Sequence, residues 1–136
     1  MKTLFVDTNV FLRYFLDDDK SQADAAEHLF EQARDGKVDL VVGPPVFFEA
    51  AWTLRSAYKM PEEKVIDILH GMAAVQGLKI YDRLMVEGAI GLAKSKGMSF
   101  PDCYIAVTAS NHRVDGVATF NVRDFKRLGT HTVEPK

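Results

Sequence analysis

Short apolar runs alternate along the chain with longer stretches of helical period. Leu4-Phe5-Val6, Leu40-Val41-Val42, Leu78-Lys79-Ile80-Tyr81 and Gly116-Val117-Ala118-Thr119 are strand-length segments bounded by turn-forming or polar residues. Between them the spacing changes. Ala26, Leu29, Phe30 and Ala33 recur on one helical face, Ser21 with Asp24 resembles a capping box at its start, and Gly36 stands where a C-terminal cap belongs. A first helix is expected from near Val10. Another follows Pro61, with Glu62 and Glu63 in its first turn and Val65, Ile68, Leu69 and Met72 as its apolar stripe. Asp82 and Gly97 bracket a further helix, and Pro101 opens one that runs to about Asn111. Strands that alternate with helices predict βαβ units, hence an α/β fold with a mostly parallel sheet covered by helices. No repeat, low-complexity tract or Gly/Ser linker interrupts this pattern, so the expectation is one domain over residues 1–136, ending in a loose Glu134-Pro135-Lys136 tail.

Composition narrows the class. A chain of 136 residues that is 47% hydrophobic can bury one core. Its formal net charge of -2 shows neither the basicity of a histone-like binder nor the charge density of a disordered tail. Cys103 is the lone cysteine and no Cys/His zinc pattern is present, which fits a reducing cytoplasm. Asp7 interrupts the first apolar run before it reaches the length of a signal core, and no run approaches the roughly 18 to 20 residues that span a bilayer. A soluble, cytoplasmic protein is expected, with no membrane partner.

In an open α/β sheet the functional crevice lies beyond the carboxyl ends of the strands, so acids just after apolar runs are the candidates. Asp7-Thr8-Asn9 sets a carboxylate, a hydroxyl and an amide after the first strand, a pattern that also suits a helix cap. Glu49 follows the second strand among Val46, Phe47, Phe48, Ala50, Ala51 and Trp52. In such company a carboxylate is expected to be poorly hydrated unless a cation compensates it or its helix turns it to water. Asp102 falls in a first helical turn, where the helix dipole alone favours an acid. Thr119-Phe120-Asn121-Val122-Arg123-Asp124 brings another hydroxyl, amide and acid after the fourth run. Four carboxylates in one crevice repel, and a hard divalent cation, magnesium or manganese, is the economical compensation. Magnesium held by carboxylates commonly serves phosphodiester displacement.

Taken in order, Leu4-Phe5-Val6-Asp7-Thr8-Asn9, the isolated Glu49, Pro101-Asp102-Cys103-Tyr104-Ile105-Ala106 and Thr119-Phe120-Asn121-Val122-Arg123-Asp124-Phe125 resemble the successive motifs of PIN domains over nearly the whole chain. In size the sequence is similar to VapC toxins. The resemblance implies a PIN-like α/β/α sandwich and a Mg2+- or Mn2+-dependent endoribonuclease. It also implies a homodimer that acts on RNA and is silenced by a VapB-like antitoxin. By position, Asp7 and Asp102 are the implied principal metal ligands. Glu49 completes the acidic set, through the metal or through the attacking water, and Asn9, ahead of Thr8, orients the first carboxylate. The last motif departs from the family pattern because Asn121 stands where an acid often occurs. Asp124 or Asn121 is then the fourth ligand, with Thr119 in the same network.

Phosphate binding needs cations near the acids, and Arg13 and Arg123, each close in sequence to a proposed site residue, are the candidates. Tyr14, Phe47 and Phe100 are read as packing residues ahead of base-stacking ones, Trp52 as core ahead of a place in a dimer or antitoxin groove, and Cys103 as a small buried side chain. His28, His70, His112 and His131 are too dispersed for a histidine-centred mechanism. Other readings are a non-cleaving RNA- or protein-binding module and a PIN nuclease of RNA maturation. A phosphatase with Asp7 as nucleophile would favour an acid at the position of Asn9.

Overall fold

β1 (Thr3–Phe5), β2 (Asp39–Val42) and β3 (Leu78–Ile80) form a three-stranded parallel sheet in the order β1-β2-β3 in the computed structural model, which describes residues 1–136. The register pairs Leu4 with Leu40 and Val42 with Ile80. Central β2 carries Leu40, Val41 and Val42, all buried, as a strand covered on both faces requires. Edge strand β3 alternates instead, with Leu78 and Ile80 buried and Lys79 exposed.

These strands belong to the first of two compact units, Met1–Arg83. Its connections are helical: α1 (Thr8–Leu16) and α2 (Lys20–Arg34) link β1 to β2, then α3 (Pro44–Ser56) and α4 (Glu62–Ala73) link β2 to β3. α1 packs on α2 and on α3, and α3 on α4, so the two crossovers share a face. Phe11, Tyr14 and Phe30 make the α1–α2 contact, with ring centroids 5.5 Å and 5.0 Å apart. Tyr14 is therefore a packing residue, as are the fully buried Phe47 and Phe100.

The second unit, Leu84–Lys136, holds α5 (Arg83–Lys96) from its second residue onward, α6 (Phe100–Asn111), β4 (Val117–Ala118), α7 (Val122–Arg127) and β5 (Thr132–Val133). β4 and β5 pair in parallel, so every strand pairing in the protein is parallel and the α/β class holds. Cys103 is fully buried. No helix is long and apolar enough to cross a membrane.

Two local readings need correction. α2 is capped by Asp19, whose carboxylate accepts from the Gln22 amide at 3.1 Å, and not by Ser21. Three consecutive acids, Asp17 to Asp19, precede this helix, and the one three residues before an available N–H takes the role. α1 begins at Thr8, two residues before Val10, because Asp7 supplies the cap directly.

Candidate functional site

Asp7 stands at the carboxyl end of β1 with extended backbone angles, and its Oδ1 accepts the Thr8 amide at 2.8 Å. This fixes the carboxylate while Oδ2 accepts no hydrogen bond. Thr8 is only 4% exposed, and its Oγ1 is buried without a partner. Asn9 is exposed on the next position. The parallel register brings the end of β1 beside the end of β2, where Gly43 leads into α3. Pro44 and Pro45 start that helix without cost, since the first helical N–H groups have no intrahelical acceptor.

Glu49 lies in the middle of α3. Val46, Phe47, Ala50, Ala51 and Leu54 form the buried side of the helix, and Glu49 and Trp52 are exposed. Expected burial of Glu49 is thus corrected: its apolar sequence neighbours turn inward at about 100° per residue and leave it in water without a hydrogen bond or ion pair. The same rotation corrects the reading of Trp52 as core, since its indole is 63% exposed. The end of β3 adds Asp82 to this sheet edge. It lies two strands across from β1, about 10 Å at ordinary strand spacing, and is not counted with Asp7.

In the second unit, Asp102 occupies the third position of α6 and is half-buried. The Ser99 hydroxyl donates to its Oδ2 at 3.2 Å and leaves Oδ1 unpartnered. After β4, the Asn121 amide N–H donates to Thr119 Oγ1 at 2.8 Å, and the Asn121 side chain donates from Nδ2 to Asp124 Oδ2 at 3.0 Å. Thr119, Asn121 and Asp124 are thereby one hydrogen-bonded turn, in which Asn121 orients the acid. Each of the three aspartates has one carboxylate oxygen held and one offered.

The two candidate arginines differ. Arg13 donates from Nε to Gln22 at 2.7 Å and from Nη1 to Asp18 at 3.0 Å, and Tyr58 donates to the same Asp18 at 3.2 Å. The hydrogen bond to Asp18 holds the Arg13 pKa above its ordinary value against the opposing effect of burial. Partial burial pushes Asp18 upward, but hydrogen bonds from Tyr58 and Arg13 outweigh it and leave its pKa below the ordinary value. Arg13 is thus tied into the α1–α2 contact, whereas Arg123 is exposed and unpaired.

A cavity of about 490 Å³ is lined by Ala106, Val107, Gly116, Leu128 and His131 among others, and holds none of the candidate acids. It abuts the C-terminal half of α6, away from Asp102 in the first turn. Metal chemistry is judged better on the donors. Free carboxylate oxygens, an amide and an orphaned buried hydroxyl beside Asp7 are hard oxygen donors of the kind magnesium or manganese takes. No three His, Cys, Asp or Glu side chains are gathered into a cage. The fit is therefore one of donor type, with no coordination geometry assigned.

No curated protein and no solved structure matches the chain. The family model of the PIN domain matches residues 4–130, a span that includes all four candidate acids and both units. The chain belongs to the PIN domain family.

Proposed function

We propose that this protein is a divalent-metal-dependent endoribonuclease whose working unit is the whole chain, residues 1–136. Membership of a nuclease-type family supports the hydrolase class. The observation that carries the finer reading is the state of the aspartates: Asp7, Asp102 and Asp124 each have one oxygen fixed by a hydrogen bond and the other free. Ligating carboxylates are commonly oriented in this way by a second hydrogen-bonding shell. Asp7 and Asp102 would hold the ion, with Asp124 as the fourth acid and Glu49 reaching it through the attacking water. When bound, such an ion supplies positive charge against phosphate oxygens and makes water a stronger nucleophile near neutral pH.

The protein's own groups do the rest. Glu49 accepts a proton from the attacking water, the water oxygen bonds to phosphorus as the bond to the ribose 3′ oxygen breaks, and that oxygen takes up a proton from solvent water. Asn121 holds Asp124 in register, Asn9 and Thr8 flank Asp7, and Arg123 meets a flanking phosphate more readily than the engaged Arg13. Products carry a 5′-phosphate and a 3′-hydroxyl. The order of the motifs further favours a cytoplasmic VapC-type toxin, a homodimer held inactive by a VapB-like antitoxin.

Cleavage of end-labelled RNA in magnesium, manganese or EDTA tests the reaction. Cleavage that EDTA abolishes, that leaves 5′-phosphate ends and that Asp102→Asn reduces at least 100-fold is the expected result. Cyclic phosphate ends, or full activity in EDTA, refute it. Co-purified product of a neighbouring small reading frame should suppress the cleavage if the protein is a toxin.

A further inference from the structure

α3 places three different side chains in succession on its solvent side. Glu49, Trp52 and Arg55 follow one another at three-residue steps, opposite the buried Val46, Phe47, Ala50, Ala51 and Leu54. Residues three apart on a helix are surface neighbours, with Cβ atoms about 5–6 Å apart. Trp52 is thus adjacent to the acid assigned to the attacking water. It is 63% exposed and has neither a hydrogen bond nor a ring partner. Arg55 on its other side holds Glu62 at 3.4 Å, an exposed pair of the kind that contributes little and yields readily to a phosphate. Lys59 continues the positive charge beyond the end of the helix.

We propose that Trp52 is a specificity-determining residue for the RNA, its indole stacking on an unpaired base next to the scissile phosphate. This rests on the nuclease reading of Glu49 and names what that site selects. An aromatic face beside cations is the arrangement by which single strands are held: stacking engages the base and the cations track the backbone. A base within a duplex has its faces covered and cannot take this contact, so Trp52 selects loops and single-stranded stretches. Stacking tolerates any base, so selection for strandedness comes without strict sequence preference.

Trp52 is the only tryptophan in the chain, which makes its fluorescence a direct readout. The protein is titrated in EDTA with an oligoribonucleotide that forms no secondary structure, with the matching duplex, and with the single strand carrying one abasic position at each site in turn. Quenching by the single strand, its absence with the duplex and its reduction at one abasic position are expected. Labelled-strand anisotropy should show Trp52→Ala weakening binding by about 5- to 100-fold, with Trp52→Phe recovering most of it. The side chain is exposed, so neither substitution opens a cavity, and circular dichroism checks the fold. Equal quenching by duplex and single strand overturns the proposal. So does RNA binding that leaves the fluorescence and the Trp52→Ala affinity unchanged. If Trp52→Ala instead converts a dimer to a monomer without altering RNA affinity, a second copy of the chain covers the indole and the proposal falls. Selective quenching without metal-dependent cleavage would sink the nuclease reading and leave the stacking contact standing.

Discussion

Asp7 carries two roles that respond differently to the same pair of substitutions. As the N-cap of α1 it needs only an oxygen that accepts from the Thr8 amide, 2.8 Å away. Asparagine keeps that oxygen and ranks with aspartate as a cap, so Asp7→Asn loses only the interaction of negative charge with the helix dipole, about 0.3–1 kcal/mol. Alanine loses the cap bond as well, for a combined cost of about 1–2 kcal/mol. For a chain of this size each kcal/mol lowers Tm by a few degrees, so Asp7→Asn should fall by about 1–3 °C and Asp7→Ala by about 4–8 °C.

Activity should order the variants otherwise. A ligand acts through its charge, which asparagine lacks as completely as alanine. Losing several kcal/mol of charge stabilisation costs at least about 100-fold in rate for both. Calorimetry and cleavage of a labelled single-stranded RNA at saturating magnesium, on wild type and both variants, separate the roles. A capping role alone keeps Asp7→Asn near wild type in both assays. Retention of half the wild-type rate by Asp7→Asn would refute the ligand assignment, whatever happened to Tm.

Three other consequences follow from the geometry. Gly77 has φ +87°, and a Cβ there would lie 2.7 Å from the Ala33 carbonyl oxygen, whereas Gly36 at φ +76° has nothing within 4 Å. Both alanine variants incur left-handed strain of about 1 kcal/mol, but Gly77→Ala should lose a further 1–3 kcal/mol or so by urea denaturation, and equal losses would contradict the close approach. Thr8→Val removes a buried hydroxyl that has no partner and should raise stability by roughly 1 kcal/mol while slowing metal-dependent cleavage; a lower Tm would show that the hydroxyl is satisfied in the folded protein. Asp18 titrates below its ordinary value of 3.8 because its bonds from Tyr58 and Arg13 outweigh burial. Its stabilising contribution is therefore complete above that value and lost as pH falls through the lower folded one, so acid unfolding of Asp18→Asn should depend less on pH than that of wild type below about pH 4.

Elements were legible where one residue type forces one outcome. Pro61 and Pro101 mark helix starts because their rings suit a first turn, and Gly36 and Gly97 end helices in the left-handed conformation that glycine adopts freely. The expected helix between Asp82 and Gly97 appears as Arg83–Lys96. Legibility failed where neighbours in sequence diverge in space. α3 contains apolar residues on nearly every position, so its sequence does not say which side is buried, and both Glu49 and Trp52 were misplaced by averaging over their surroundings. β5 has two residues, too few for any period to show. The order of acids along the chain was readable, but their hydrogen-bond partners depended on caps and turns that only coordinates supply.

Capping and catalysis are rival explanations for an acid at a helix start, yet the structure gives them a common basis. Asp7 caps α1, while Asp102 and Asp124 sit in the first turns of α6 and α7, so all three meet the end of a helix that favours negative charge. One oxygen of each is engaged, by the Thr8 amide, the Ser99 hydroxyl and the Asn121 side chain in turn. A cap that used both oxygens would leave nothing for a ligand, and a carboxylate with neither engaged would rotate freely and lose entropy on binding. Holding one oxygen and offering the other serves both ends. Glu49 has no such anchor and no helix terminus beside it, which suits a group that must gain and release a proton rather than hold a fixed ion. This difference in anchoring makes Asp102→Asn and Glu49→Gln distinguishable: the first should raise the magnesium concentration needed for half-maximal cleavage, the second should lower the rate at saturating metal. The reverse pattern would exchange their roles.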